Sequence, residues 1–439
     1  MIRRPSHAAL GMFLLAACVG GLLAQAPPSE HPAKPRAQKL ANPLNDLLEE
    51  AQKAINRQDY AAAVAPLQKF LAEKPDLAYA HFQLGYAFTA LERRAEARPE
   101  YERAVSLDPK LFEGWLNLGL LLLNTDPAAA VAPFDRAVAL QPAQSRPRFF
   151  LGYARERAGD LAGAAEAYEG AEKLDPRDYE VAFAYGRTLL VLKRAVQAEG
   201  KFHRALHIKP DSAPARLGLA NSLAAQGKAE AVAAFGSYLE LRSDDRTARL
   251  DLARLLFNQK DFAAALAALD AAENGRPASP DTLRFRADVL IAQSRWGDAI
   301  GVLQRALTLE PRDPGLRIDL GHLYLKKQDF PSAERELRAA LALDPQSADA
   351  LRELSATYYL AGNCPAVLEV LDRLAGREEP RVGTWFLRGS CCDKLGRVSE
   401  ALDAYRKFVE LDQDRNDAQD FQARQRIKAL LRKQERKNR

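Results

Sequence analysis

The chain has 439 residues, 47% hydrophobic and 28% charged, with a formal net charge of +5. This mixture excludes an intrinsically disordered chain and a multispan membrane protein, and it leaves ample apolar side chain for an ordered core. Charge is uneven, because eight basic residues against Asp420 and Glu435 give positions 420–439 a sum of +6 and leave −1 for the rest.

Arg3 and Arg4 precede an apolar run of 16 residues at positions 8–23. A membrane-spanning helix needs roughly 20 such residues, so the pattern predicts an export signal over residues 1–26. Two processing sites compete. Leu15-Ala16-Ala17-Cys18 resembles a bacterial lipobox, which would end the signal at residue 17 and make Cys18 the lipidated residue. Ala24-Gln25-Ala26 fits ordinary cleavage and soluble release, and an uncut segment would serve as an anchor. Residues 27–43, punctuated by Pro27, Pro28, Pro32, Pro35 and Pro43, predict a semi-extended linker.

A repeat follows over residues 44–413. Small side chains recur at Ala51, Gly85, Gly119, Gly152, Gly186, Ala220, Ala253, Ala287, Gly321, Ser355 and Gly389, spaced 34 residues apart with two gaps of 33. A fixed period of this length marks a stack of units that each contact mainly their neighbours. In residues 78–111 the apolar or small positions are Leu84, Gly85, Phe88 and Leu91, then Ala97, Tyr101, Ala104 and Leu107. Spacings of three and four residues trace one helical face twice, so each unit is a pair of amphipathic helices. Breaks such as Gly159-Asp160, Gly227-Lys228 and Gly396-Arg397 read as helix end followed by helix start. The small slots suit closely crossing helices, where a larger side chain would hold the axes apart. The predicted fold class is an all-α solenoid of about eleven helix–turn–helix units. Residues 414–439 predict a capping helix, with Phe421, Ile427, Leu430 and Leu431 as its apolar stripe, and a solvated basic tail. No nucleic-acid partner is expected for that tail.

These units resemble the tetratricopeptide repeat. Its combination of aromatic, Leu-Gly, Ala, aromatic, Ala and Pro stands here as Trp115, Leu118-Gly119, Ala130, Phe134, Ala137 and Pro142, and again as Leu320-Gly321, Tyr324, Ala333, Leu337, Ala340 and Pro345. The resemblance implies a right-handed superhelix whose first helices line an inner groove. Carried onto this sequence, the groove positions are Phe82, Tyr86, Leu116, Phe149, Tyr153, Arg157, Phe183, Arg187, Asn221 and Arg254. Aromatic rings beside arginines suit an extended peptide, providing apolar anchors and donors for carbonyl or acidic groups. The family's clamp for a terminal carboxylate is missing, since Leu217 stands where its lysine would precede Asn221. The implied function is a non-enzymatic, cofactor-free scaffold of the bacterial cell envelope that binds protein or peptide partners. Two alternatives remain open at this stage. One is an adaptor for polysaccharide or peptidoglycan that stacks sugars on Trp115, Trp296 or Trp385; the other is a membrane-anchored cytoplasmic regulator.

The sequence shows no catalytic constellation, phosphate loop or zinc-protease motif. His203 and His207 can share a helix face, but two ligands do not define a metal site. Cys364, Cys391 and Cys392 fall in successive antiparallel helices, so Cys364 is expected to reach Cys391 or Cys392 in an oxidising compartment, whereas the adjacent pair would be strained.

Overall fold

The computed structural model describes residues 43–412 and 417–437. The expected signal, Cys18 and the linker up to residue 42 lie outside the described residues. Among these there are 23 helices and no strand. The chain divides into two compact blocks, one up to Arg242 and one from Ser243 onward.

The first block holds six hairpins: α1 (Pro43–Asn56) with α2 (Tyr60–Glu73), α3 (Ala78–Ala90) with α4 (Arg94–Leu107), α5 (Phe112–Leu122) with α6 (Pro127–Leu140), α7 (Ser145–Arg157) with α8 (Leu161–Leu174), α9 (Tyr179–Val191) with α10 (Ala195–Ile208), and α11 (Ala213–Ala225) with α12 (Ala231–Leu241). The second holds five: α13 (Arg246–Asn258) with α14 (Phe262–Glu273), α15 (Pro280–Ala292) with α16 (Trp296–Leu309), α17 (Pro314–Lys326) with α18 (Phe330–Leu343), α19 (Ala348–Leu360) with α20 (Cys364–Ala375), and α21 (Val382–Lys394) with α22 (Val398–Asp412). A last helix, α23 (Asp417–Lys437), follows. Odd-numbered helices are therefore the first members of their repeats. Pro43, read from the sequence as linker, opens α1, where its missing N–H costs no hydrogen bond.

Local chemistry explains where these helices begin and turn. Asp59, Asp126, Asp160, Asp261, Asp329 and Asn363 cap even-numbered helices by accepting a first-turn N–H, and Asp178, Ser212, Asp245, Ser279, Asp313 and Ser347 do the same for odd-numbered ones. Each such cap stabilises its helix by about 1 kcal/mol. Within ten of the eleven hairpins the chain reverses through a residue of positive φ at one fixed slot: Gln58, Glu92, Gly159, Lys193, Gly227, Lys260, Ser294, Gln328, Gly362 and Gly396. The hairpin of α5 and α6 has no residue of positive φ there; it is one residue shorter between its small and alanine slots, as is that of α11 and α12, which keeps Gly227.

The small slot of each first helix faces one large side chain of the second. A Cβ on Gly85 would stand 2.9 Å from the Tyr101 ring, on Gly119 2.7 Å from Phe134, on Gly152 2.8 Å from Tyr168 and on Gly389 2.8 Å from Tyr405. Where the facing residue is Leu67, Leu269 or Leu303, the small slot holds Ala51, Ala253 or Ala287 instead. The exchange is not strict, since a Cβ on Gly321 would stand 2.6 Å from Leu337 and Ala220 shares its register with Phe235, but a small slot opposite a large one keeps a dense interior at constant helix spacing.

In the first block one buried cluster runs from Ala51 to Phe202, and a smaller one holds Ala182, Ala205 and Ala215. In the second, one cluster spans Leu283 to Leu323, and another joins Leu337 to Leu430. The latter includes Ala423 and Leu430 of α23, so this helix covers the apolar end of the last hairpin. Phe421 departs from the expected stripe and is 65% exposed. It lies about half a turn from Ala423, and therefore points away from the face that Ala423, Ile427 and Leu430 share.

Candidate functional site

Within each block, every first helix packs on its own second helix, and those after the opening one also pack on the second helix of the preceding hairpin. Several first helices also touch one another directly, including α3 with α5, α7 with α9, α9 with α11, and α17 with α19. Within each block they stand side by side as a wall, and the groove positions lie on that wall.

In the first block most of these positions are interior. Phe82 is 1% exposed and is enclosed by Tyr79, Tyr86 and Tyr101, with ring centroids 6.0, 6.4 and 6.0 Å away. Phe149 is buried against Phe150 and Tyr168 at 5.6 and 5.8 Å, with the Arg146 guanidinium 5.1 Å from its centroid. Leu116, Tyr86 and Tyr153 are buried as well. Tyr86 meets Tyr60 edge-on at 5.8 Å, and burial pushes its phenol up to about 12. These five side chains belong to the core rather than to an open groove. Phe82, Leu116 and Phe149 stand one turn before the small slot, where the Phe82 and Phe149 rings meet Tyr101 and Tyr168 of the second helix, while Tyr86 and Tyr153 directly follow that slot.

The polar groove residues of this block are partly occupied. Arg187 of α9 donates to Glu156 of α7 at 2.6 Å, and that carboxylate also accepts the Tyr168 hydroxyl at 2.9 Å. Arg157 donates to the Tyr153 hydroxyl at 3.4 Å. Phe183 stacks on Tyr179 at 5.8 Å with 7° between the ring planes, and it is half-buried, as is Asn221. Tyr179 in turn shares a hydrogen bond with Ser212 at 2.6 Å.

The wall of the second block is charged. Arg254 is exposed and donates to Asp251 at 2.9 Å. Arg284 of α15 pairs with Asp313 at the start of α17, and His322 of α17 meets Glu353 of α19 at 3.1 Å. That hydrogen bond raises the His322 pKa against the opposing effect of burial. Asp288 of α15 and Asp319 of α17 behave differently. Among the described residues neither carboxylate has a hydrogen bond or an ion pair, and the nearby Arg284 charge acts on both only at longer range. Both side chains remain accessible, yet neighbouring protein atoms displace part of their hydration. That desolvation, with the Asp319 charge as the next cause, pushes the Asp288 carboxyl up to about 6. Desolvation likewise raises Asp319.

Asp251, Asp319 and Glu353 share the sixth slot of their helices, which the family's groove slots do not include. Reading that slot down the repeats gives Asp251, Phe285, Asp319 and Glu353, and this acidic column was the available signal. Trp115, Trp296 and Trp385 are partly buried against the core clusters, and the Trp115 indole donates to the Pro109 carbonyl at 3.1 Å. His203 is largely exposed and sits 4.0 Å from Glu199. Among the described residues no three metal-binding side chains converge, and no helix is long and apolar enough to cross a membrane. Cys364, Cys391 and Cys392 are buried and unbonded.

Family models described as tetratricopeptide repeat match residues 78–111, 120–178, 149–214, 217–281, 283–357 and 382–415. The chain is 23% identical over 158 residues to anaphase-promoting complex subunit 3 of Schizosaccharomyces pombe, covering 36% of this chain and 24% of that protein. It is 24% identical over 299 residues to the human protein O-mannosyl-transferase TMTC3, covering 65% of this chain and 28% of that protein. The chain thus spans about a quarter of the length of these curated relatives. Among solved structures it is similar to MamA (residues 41 to the end) from Desulfovibrio magneticus RS-1, with 19% identity, a TM-score of 0.37, and coverage of 40% of this chain and 99% of that one. Together the repeat matches cover well over half of the sequence, and the chain belongs to the tetratricopeptide-repeat family.

Proposed function

We propose that the protein is a non-enzymatic scaffold that holds segments of other proteins against its walls of first helices. In the second block the segment carries lysine or arginine side chains. The observation that supports this reading is the pair Asp288 and Asp319. Other carboxylates on that wall are matched, Asp251 by Arg254, Asp313 by Arg284 and Glu353 by His322. Two accessible like charges left without a partner disfavour the unliganded state. A cation on a bound segment relieves that repulsion and regains a charge-assisted hydrogen bond. The S. pombe relative is by name a subunit of a complex, which agrees with a scaffolding role. The transferase named for the human relative is not carried over, because the match covers 28% of it.

The test is fluorescence anisotropy with two peptide sets of equal length, one bearing Lys and Arg and the other Asp and Glu. The basic set should bind, and D288N together with D319N should weaken it about tenfold or more, the scale of one lost charge-assisted contact. Equal binding of both sets, or no effect of the double variant, would overturn the assignment.

We further infer a bacterial envelope location from the positively charged start, the apolar run and the competing cleavage sites of residues 1–26. Intact-mass analysis of the mature protein distinguishes the routes. A diacylated Cys18 marks a lipoprotein, a free Pro27 marks release, and a retained Met1 shows an uncut segment and excludes both.

A further inference from the structure

The joint between the last two hairpins is unusual. Most connectors between successive repeats have four residues, whereas that between α20 and α21 has six, residues 376–381. Its Glu378 is held from outside by Arg352 at 2.6 Å. Across the same joint the Tyr359 hydroxyl at the end of α19 meets Ser390 of α21 at 3.2 Å, and the Lys394 ammonium sits 5.3 Å from the Tyr359 ring. These contacts seat the second half of α21 beside the α19–α20 turn, where Cys364 opens α20 behind its Asn363 cap. Cys364 and Cys391 belong to one buried cluster, and burial together with the neighbouring Cys364 pushes the Cys391 thiol up. Cys392 follows it on α21 and so projects about 100° further round the helix axis, where burial raises its thiol.

We infer that Cys364 and Cys391 are a disulfide-forming pair, and that Cys392 is a packing thiol that takes no part. The bond would close the 26 residues between them and tie α20 to α21 across the longest kind of connector in the block. It forms by thiol–disulfide exchange. One thiolate attacks a small-molecule disulfide, releasing one thiol and giving a mixed disulfide. The second protein thiolate then displaces the other thiol. Two electrons and two protons pass to the donor, which leaves as two thiols. All three cysteines are at most 3% exposed, so the exchange takes place as the chain folds rather than on the packed protein.

The experiment refolds the full chain from urea in a glutathione and glutathione-disulfide buffer, quenches it with acid, and measures intact mass without reductant. The parent and Cys392→Ser should each be lighter by about 2 Da than the reduced chain, while Cys364→Ser and Cys391→Ser should show no internal bond. Trypsin places Cys364 in peptide 353–373 and both other cysteines in peptide 389–394, so the serine variants decide which of the two is joined. Reduction should lower the urea midpoint of the parent and leave that of Cys391→Ser unchanged. Cys391→Ala, which keeps the site apolar, serves if the serine variant fails to fold. A bond that persists in Cys391→Ser or Cys391→Ala and vanishes in Cys392→Ser overturns the pairing. So does a parent that emerges with all three thiols free, or with Cys18 joined to one of them. Neither result bears on peptide binding, which is measured separately.

Discussion

Gly119 and Phe134 fix the distance between α5 and α6: a Cβ on the glycine would stand 2.7 Å from the aromatic ring, inside any normal contact. The same close approach recurs with Gly85 and Tyr101, Gly152 and Tyr168, and Gly321 and Leu337, whereas by register Ala51, Ala253 and Ala287 are matched with leucines. Gly119→Ala should therefore cost about 1–3 kcal/mol by overpacking. The double variant with Phe134→Leu reproduces the combination of the first hairpin and should recover most of that loss. Urea unfolding of the two variants is the check. Equal destabilisation of the single and double variants would remove the complementarity between these slots.

A second expectation concerns the turns. Lys260 adopts φ 64° at the slot where other repeats place Gly159, Gly227, Gly362 or Gly396. A side chain in this left-handed region carries a penalty of roughly 1–2 kcal/mol. Lys260→Gly relieves it but gains freedom in the unfolded chain. The net should be a stabilisation of about 0.5–1 kcal/mol. Chemical denaturation measures it, and a loss of stability would show that Lys260 gains more from its side chain than it loses to strain.

Much of this architecture was legible from residue spacing. The 34-residue period located the hairpins, because helix packing at constant distance forces Gly or Ala into one slot of each unit. Exposure was not legible. Phe82 and Phe149 stand at positions that contact ligands in related repeats, yet a ring there can equally fill the gap between helices, and spacing alone does not separate the two. That Asp288 and Asp319 lack partners was hidden for another reason. Whether a carboxylate is matched depends on side chains from adjacent repeats, as Glu353 is by His322, and that is a property of the stack rather than of one unit.

The interior position of Phe82 predicts how a groove variant fails. Phe82→Ala should cost about 3–5 kcal/mol, as for other buried aromatic truncations. Thermal unfolding followed by far-UV circular dichroism reads this. A variant as stable as the parent would return Phe82 to the open wall.

Asp288 makes stability depend on pH in a defined direction. Its carboxyl moves from an ordinary value of 3.8 to about 6 in the folded protein. The folded state thus binds the proton more tightly than the unfolded state, so this group's contribution to stability falls as pH rises from about 4 through 6. Asp288→Asn removes the titration. It should be more stable than the parent at pH 7, and that advantage should shrink at pH 5. Binding of a basic peptide should run the other way, strengthening as Asp288 ionises. Parallel pH profiles for parent and variant would show that the carboxyl is not perturbed.

The closing helix offers the last test. Ala423 and Leu430 of α23 are buried on the terminal hairpin, while Arg426 forms two hydrogen bonds to Asp393 of α21 at 2.6 and 2.8 Å. Leu430→Ala should cost about 2–5 kcal/mol if apolar cover is what holds the helix in place. Arg426→Ala should cost no more than about 1 kcal/mol, because that pair is partly open to solvent. The order of these losses separates an apolar lid from an electrostatic latch. Native-state hydrogen exchange should localise both losses to α21, α22 and α23, the elements that share this contact. If Leu430→Ala leaves their amides as protected as in the parent while Arg426→Ala exposes them, charge rather than burial closes the end of the stack.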